Sequence, residues 1–389
     1  MFLDNVNQNR LADMKFAPLK DITVVSIEQA LSAPFASCRL ADAGARVIKV
    51  EREETGDFAR QYDEVVKGQS TYFVWTNRGK ESVRINIKSD DGRELLLNMI
   101  AKADVFIQNL APGAMKRLGL HSEMLREKYP GLITCDISGY VEEGDYSNMK
   151  AYDNLVQAES GLIDVTGHGD IRAKVGISIA DISTGMHAYA AILEAVIHRK
   201  NTGEGAGIKV SMFDSMADWM MVPWLHQAYG GKAPERSGVY HAAIAPYGPF
   251  KTNDGREIMI GIQNEREWIR FCKDVLDGEI DPADDRFSRN SLRVEHVAEL
   301  NRLILKKFER LGYEEALNRL KVSQIAYSNL NTLEQFAEHP QLRLTEVQSE
   351  SGPVKMADRV ARFTGFETGF GSIPALGEHD EKIKKEFGI

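Results

Sequence analysis

DITVVSIEQALSAPFASCRLADAGARVIKVE (residues 21–51) decides the fold. DITVVSIE (21–28) is a compact β-branched run, FASCRLADAGA (35–45) has helical composition, and RVIKVE (46–51) is apolar again. That order reads as a βαβ opening. Downstream, GRELLLNMIAKA (92–103) places Leu95, Leu96, Met99 and Ile100 on one helical face. The apolar runs DVFIQN (104–109) and LITCDIS (132–138) follow, each preceded by a helical stretch. Strands that alternate with helices and are apolar throughout belong to a parallel sheet buried on both faces. The expected fold class is therefore α/β, with a doubly wound domain.

The same rhythm continues through a long helix, GMHAYAAILEAVIHRK (185–200), the turn NTGEGAG (201–207) and a strand IKVSM (208–212). Beyond Trp224 the character changes. AYGGKAPERSG (228–238) reads as a linker, and YGPFKTNDGREIMIGI (247–262) as a hairpin turning at Asn253, Asp254 and Gly255. Charged amphipathic helices over 265–320 complete a smaller α+β domain. The expected division is 1–224 for the first part of the large domain, 225–325 for the small one, and 326–389 for a return to the large one. Residues 1–17 read as a poorly ordered lead-in without the apolar core of a signal peptide.

The chain has 389 residues, 43% of them hydrophobic, enough for two or three packed domains. Lys plus Arg number 48 against 57 Asp plus Glu, a formal charge of −9 that lacks the basic excess needed to bind nucleic acid or anionic membranes. A local cationic pocket for a small polyanion remains compatible with it. Cys38, Cys135 and Cys272 are too dispersed for a disulfide framework or a Cys-rich zinc site, and they suit a cytoplasmic location. No window approaches the roughly 20 apolar residues of a membrane span.

HExxH, GxxxxGK[ST] and GxSxG are absent, which removes the main support for zinc peptidase, P-loop and α/β-hydrolase chemistry. Gly203-Glu204-Gly205-Ala206-Gly207 follows a helix and precedes a strand, the wrong order for a phosphate-binding turn, and reads as an ordinary connection. In ISIADISTGMHAYAAILEA (177–195) a strand-like run passes into a helix with Asp181 at the junction. A carboxylate there lies near the positive end of the helix dipole, which would keep it ionised, and can attack an acyl group. A capping role without chemistry explains the same residue. His187, on the same helix, reads as a hydrogen-bonded structural histidine. MADWMMVPWLH (216–226) reads as core or subunit interface, and DGEIDPADD (277–285) as a solvated loop without a calcium-binding pattern.

Eight strings, in this order and spacing, resemble the family III CoA-transferases, also called CaiB/BaiF. They are SAPFASCRLADAGARVIKVERE (32–53), NRGKESV (77–83), ADVFIQNLAPGAMKRLGL (103–120), ISGY (137–140), YDNLVQAESGLIDVTG (152–167), ADISTGMHAYAAILEAVIHRKNTGEG (180–205), YGPFKTNDG (247–255) and PALGEH (374–379). The resemblance implies a Rossmann-like large domain, an interlocked homodimer, and Asp181 as the nucleophile that forms a mixed anhydride and then an aspartyl-CoA thioester. Acyl-CoA and a free carboxylic acid would be the substrates, with no metal. For CoA it implies Arg52, Lys80, Asn109, Leu110 and Arg117, with Gly139 and Tyr140 along the pantetheine route and Gln29, Ala30 and Leu31 in the turn after the first strand. Taken singly, without the resemblance, Arg52, Lys80 and Arg117 read as solvated surface charges.

Within the family, a short polar or dicarboxylic acid such as succinate, malate, mesaconate, itaconate or citramalate is the preferred acceptor. Oxalate/formate or carnitine-type transfer and the acyl-CoA racemases are the alternatives. The racemase branch carries a His where this chain has Tyr152, so half of an acid/base pair is missing. Leu31, Ser32 and SQIAYSNL (323–330) also depart from the common pattern, and they bear on acceptor identity.

Overall fold

The computed structural model describes residues 16–388, so residues 1–15 of the expected lead-in lie outside the described residues. The chain divides into two compact units. One comprises Met1–Ser160, Val175–Met220 and Arg343–Ile389, the other Gly161–Lys174 and Met221–Leu342.

The first unit is built on a parallel six-stranded sheet. Its strands are β1 (Thr23–Ile27), β2 (Arg46–Glu51), β3 (Lys80–Arg84), β4 (Val105–Gln108), β5 (Ile133–Ser138) and β6 (Gly207–Ser211). They lie in the order β3-β2-β1-β4-β5-β6, which places the topological switch point between β1 and β4. Successive residues of β1 serve opposite faces. Val24 joins a core with Ala33, Ala36 and Leu40 of helix α1 (Ser32–Asp42) and with Ala188 and Ile192 of a long helix. Val25 and Ile27 join Leu95, Leu96, Met99 and Ile100 of a helix at Asp90–Ile100. Burial on both sides is why the strands read as continuous apolar runs.

Helix α2 (Thr71–Thr76) precedes β3, α3 (Asp90–Ile100) and α4 (Ser122–Lys128) precede β4 and β5, and α5 (Asp153–Glu159) leads to α6 (Ile179–Thr202), the long helix. The α6 helix begins six residues before the expected start at 185, and the strand-like run before it is an irregular loop. It ends at Gly203, whose φ of 82° provides the left-handed exit that a side chain disfavours. Helix α7 (Met212–Trp219) buries Met212 and Met216.

The edge strand β3 escapes a search for apolar runs because its sequence is KESVR. Its outer edge is covered from the far end of the chain: His379 N–H donates to the Ser82 carbonyl at 3.0 Å and Arg84 pairs with Asp380 at 2.8 Å. In the second unit, helix α8 (Met221–Gly230) buries no side chain. The expected hairpin is present as β7 (Tyr247–Lys251) and β8 (Glu257–Gly261), with β9 (Ala326–Asn329) added to it antiparallel. That pairing keeps residues 326–329 in the second unit, so the chain returns to the first at Arg343 rather than at 326. The short hairpin of residues 167–172 also joins the second unit, through a bridge from His168 to Ser237 and an ion pair between Arg236 and Asp164. Among the described residues no helix is long and apolar enough to cross a membrane.

Four ionised side chains lie within the first unit without access to water. Lys80 Nζ donates to Glu28 at 2.6 Å, to the Pro34 carbonyl at 3.0 Å and to Asn77 at 2.9 Å. Lys49 Nζ lies 2.8 Å from Asp57 and 3.4 Å from Glu28. Burial alone would raise the Glu28 carboxyl, yet Lys80 and Lys49 hold it below its ordinary value. The network joins β1, β2, β3 and the first turn of α1. Removing one partner of a buried pair leaves an uncompensated charge, so Lys80→Ala is expected to cost about 3–5 kcal/mol. In chemical denaturation of the intact protein, Glu28→Gln/Lys80→Met should cost less than Lys80→Ala alone; equal losses would show that the pair is not coupled.

Candidate active site

Asp181 occupies the first turn of α6, where backbone N–H groups have no partner within the helix. Ser178 makes no side-chain cap, and Asp153, the first residue of α5, supplies one from outside. Asp153 Oδ1 accepts from Ala180 N–H at 2.8 Å and from Asp181 N–H at 3.4 Å, while Oδ2 accepts from Gln157 at 2.7 Å. Fully buried Gln157 also accepts the Val175 N–H at 2.9 Å, tying the loop before α6 to α5.

Helix α1 reaches the same point from the opposite side. Its N-cap is Leu31, which has no oxygen on its side chain, and the helix starts without a side-chain cap. Ser32 instead stands beside the Asp181 carboxyl and favours its ionised form. Gly185, one turn along α6, permits this approach: a Cβ there would lie 2.7 Å from the Ser32 carbonyl oxygen and 2.9 Å from the Phe35 ring.

Asp181 is not kept ionised in the manner expected from the helix dipole. Burial, reinforced by the neighbouring Asp153 charge, pushes its carboxyl up to about 7, and the Ser32 donors only oppose the rise. A carboxyl in this state is divided between its two forms near neutral pH, and its ionised form is a more basic, less solvated nucleophile than a surface aspartate. Tyr62 belongs to the same surroundings: burial and the charges of Asp57 and Asp181 push its phenol up to about 12, so it remains a neutral donor.

A cavity of about 550 Å³ opens at the ends of β1, β2 and β3. Gln29, Arg52 and Leu110 line it, as does Lys88, which sequence reading missed. Open parallel sheets bind ligands in this kind of crevice beside the switch point. Arg52 donates to Gln29 Oε1 at 2.8 Å, a neutral partner that leaves its charge uncompensated. Glu28, Glu51, Glu53, Glu54 and Asp57 also border the cavity: Glu51 pairs with Arg60 at 2.8 Å, Asp57 and one oxygen of Glu28 pair with the buried lysines, and Glu53 and Glu54 are exposed beside Arg52. Asn109 clamps the turn, accepting from Gln29 N–H at 2.9 Å and donating to the Gln29 carbonyl at 2.8 Å. Leu110 N–H is held by Gln108 at 2.8 Å.

Residues 29–32 connect the cavity to Asp181, since Gln29 lines the first and Ser32 touches the second. Between them Ala30 has φ +64°, a left-handed conformation that costs a residue with a Cβ about 1–3 kcal/mol. Its N–H donates to Asp57 Oδ1 at 3.0 Å.

Other expected residues lie elsewhere. Lys80 corrects the reading of a phosphate-binding cation, because its ammonium is buried and committed to Glu28, Pro34 and Asn77. Arg117 is exposed, reaches only the Pro112 carbonyl at 3.4 Å and does not line the cavity. Gly139 and Tyr140 follow β5 and are not among the cavity residues; Gly139 packs on Ala151, and the Tyr140 ring lies 5.1 Å from Tyr146 and 6.0 Å from Phe213. His187 Nδ1 lies 2.9 Å from the Ser183 carbonyl, a structural contact, with Nε2 3.4 Å from Asp218. Asp153 stood in the quoted string YDNLVQ, and an acidic residue opening a helical stretch was the signal that could have singled it out.

Residues 19–380 match the model of CoA-transferase family III. The chain is 32% identical over 378 residues to human succinyl-CoA:glutarate CoA-transferase, covering 95% of this chain and 86% of that one. It is also 32% identical over 374 residues to acetyl-CoA:oxalate CoA-transferase of Acetobacter aceti, covering 95% and 96%. Among solved structures, a CaiB/BaiF family protein from Brucella suis superposes with a TM-score of 0.81 at 31% identity over 96% of this chain and all of that one. A match that runs through both units and includes the Asp181 string is a match of the whole protein, and the chain belongs to CoA-transferase family III.

Proposed function

We propose that this protein moves CoA from an acyl-CoA to a dicarboxylic acid with Asp181 as the covalent nucleophile. One observation carries the reading: a desolvated carboxyl at the start of α6 is joined by four residues of chain to a cation-bearing cavity at the strand ends. Arg52 and Lys88 would take the phosphates of the nucleotide end, and the turn at 29–32 would guide the pantetheine arm toward Asp181. Glutarate, oxalate and mesaconate are named for relatives at about 30% identity, which favours a short dicarboxylate over a long acyl acceptor.

In the first step an ionised Asp181 oxygen attacks the thioester carbonyl, the carbon–sulfur bond breaks, and a mixed anhydride and CoA thiolate result. The thiolate then attacks the aspartyl carbonyl, releasing the first carboxylate and leaving an aspartyl-CoA thioester. The incoming carboxylate repeats these steps in reverse order, restoring Asp181 as new acyl-CoA forms. Each exchange links groups of comparable energy, so the cycle runs without ATP hydrolysis or a metal. A cytoplasmic, interlocked homodimer belongs to the same reading, supported by exposed Val222, Trp224 and Tyr229 on α8, a helix that buries none of its own side chains.

Incubation with succinyl-CoA and a panel of dicarboxylates should yield new acyl-CoA species by mass spectrometry, and hydroxylamine should trap an adduct on Asp181. Asp181→Ala should lower transfer by about 10³-fold or more. Exchange of an α-proton with solvent deuterium in the absence of any acceptor acid would instead identify a racemase. Because attack requires the ionised carboxyl, kcat/KM should rise with pH through an acid limb centred at about 7. Asp153→Asn keeps an oxygen for Ala180 N–H but removes the neighbouring negative charge, so it should move that limb to lower pH. An unmoved limb would show that Asp153 does not set the ionisation of Asp181.

A further inference from the structure

The turn between the cavity and the nucleophile has an unusual support. Ala30 sits at φ +64°, a conformation that side chains disfavour, and the next residue, Leu31, starts α1 without a cap. Nothing within residues 29–32 compensates for that strain. The compensation comes from Asp57, which is buried and fully engaged: Oδ1 accepts from Ala30 N–H at 3.0 Å and Ala59 N–H at 2.9 Å, and Oδ2 faces Lys49 Nζ at 2.8 Å. Lys49 in turn reaches the Glu28 carbonyl at 3.4 Å, immediately before the turn. Asp57 is itself anchored, since its own N–H donates to Glu51 at 2.9 Å. A rigid acceptor therefore lies where the strained residue needs one, two residues ahead of Ser32.

We propose that Asp57 is a positioning residue for the acyl exchange: by accepting the Ala30 N–H it holds the 29–32 turn in the conformation that presents Ser32 to the Asp181 carboxyl. The inference rests on the reading of Asp181 as the nucleophile. Asp57 acts only through the turn and touches neither Asp181 nor the reacting atoms. The Asp181 carboxyl is faced by Asp153 from α5 and by Ser32 from α1, with Tyr62 nearby, and of these Ser32 is the group the turn controls.

The test is a set of variants of the full chain assayed for transfer from succinyl-CoA, with pH profiles and chemical denaturation. Asp57→Ala should lower kcat by about tenfold to a hundredfold, more than it changes KM for the acyl-CoA, as expected for a misplaced reacting group. Its acid limb should move to higher pH, because the Ser32 donors that oppose protonation of Asp181 are displaced. Glycine adopts φ +64° without strain, so the same substitution should cost less than about threefold when introduced into Ala30→Gly. Asp57→Asn retains an acceptor for Ala30 N–H while losing the charge opposite Lys49. It should keep the wild-type acid limb even though its denaturation midpoint falls, and it carries the test if Asp57→Ala does not fold.

An acid limb unmoved in Asp57→Ala, or moved as far in Asp57→Asn, would overturn the proposal, as would an equal loss of kcat in the wild-type and Ala30→Gly backgrounds. Asp181→Ala separates the two layers. Retained transfer in that variant would overturn the nucleophile reading and this inference with it. An inactive Asp181→Ala accompanied by any of the three failures above would overturn the positioning role alone.

Discussion

Four charges placed beyond the reach of water constrain everything near the head of the sheet. Glu28, Lys49, Asp57 and Lys80 are each almost completely buried, and in a medium of low polarity none of them is tolerable without the others. Their mutual pairing therefore dictates where β1, β2 and β3 stand relative to the first turn of α1, through Lys80 and the Pro34 carbonyl. An apolar core can slide or repack at small cost, but an ionic cluster with these hydrogen bonds has one arrangement. The turn leaving β1 and the start of α1 inherit that rigidity.

The rigidity matters because Asp181 sits among opposing influences. Removal from water and the adjacent Asp153 favour the protonated acid, whereas Ser32 favours the carboxylate. Both helices that meet there begin without a side-chain cap of their own, and α6 borrows Asp153.

Much of this is legible in the sequence. The runs at 23–27, 46–51, 105–108 and 133–138 declare themselves because strands buried on both faces have no polar side to disguise them. β3 does not, since two of the residues it buries are Lys80 and Ser82, which look like surface chemistry. The same blindness misplaced Lys80: its carboxylate partner is 52 positions away, and nothing local distinguishes a solvated ammonium from a buried one. Residues 161–174 read as part of the larger unit because chain continuity carries no hint of the pairing with Ser237. Asp181 emerged from an ordered set of matching strings, while its raised proton affinity depended on Asp153 and on desolvation, neither of which a linear reading measures.

The way the first unit closes has a consequence for its biogenesis. Ile383 and Phe387, on the helix at Asp380–Phe387, belong to the same core as Leu95, Leu96 and Met99 of α3, and His379 and Asp380 cover the outer edge of β3. During synthesis all six strands of the sheet and the whole second unit are made before these residues emerge. For that interval one face of a parallel sheet lacks part of its cover and an edge strand stands open, the kind of surface on which nascent chains associate wrongly.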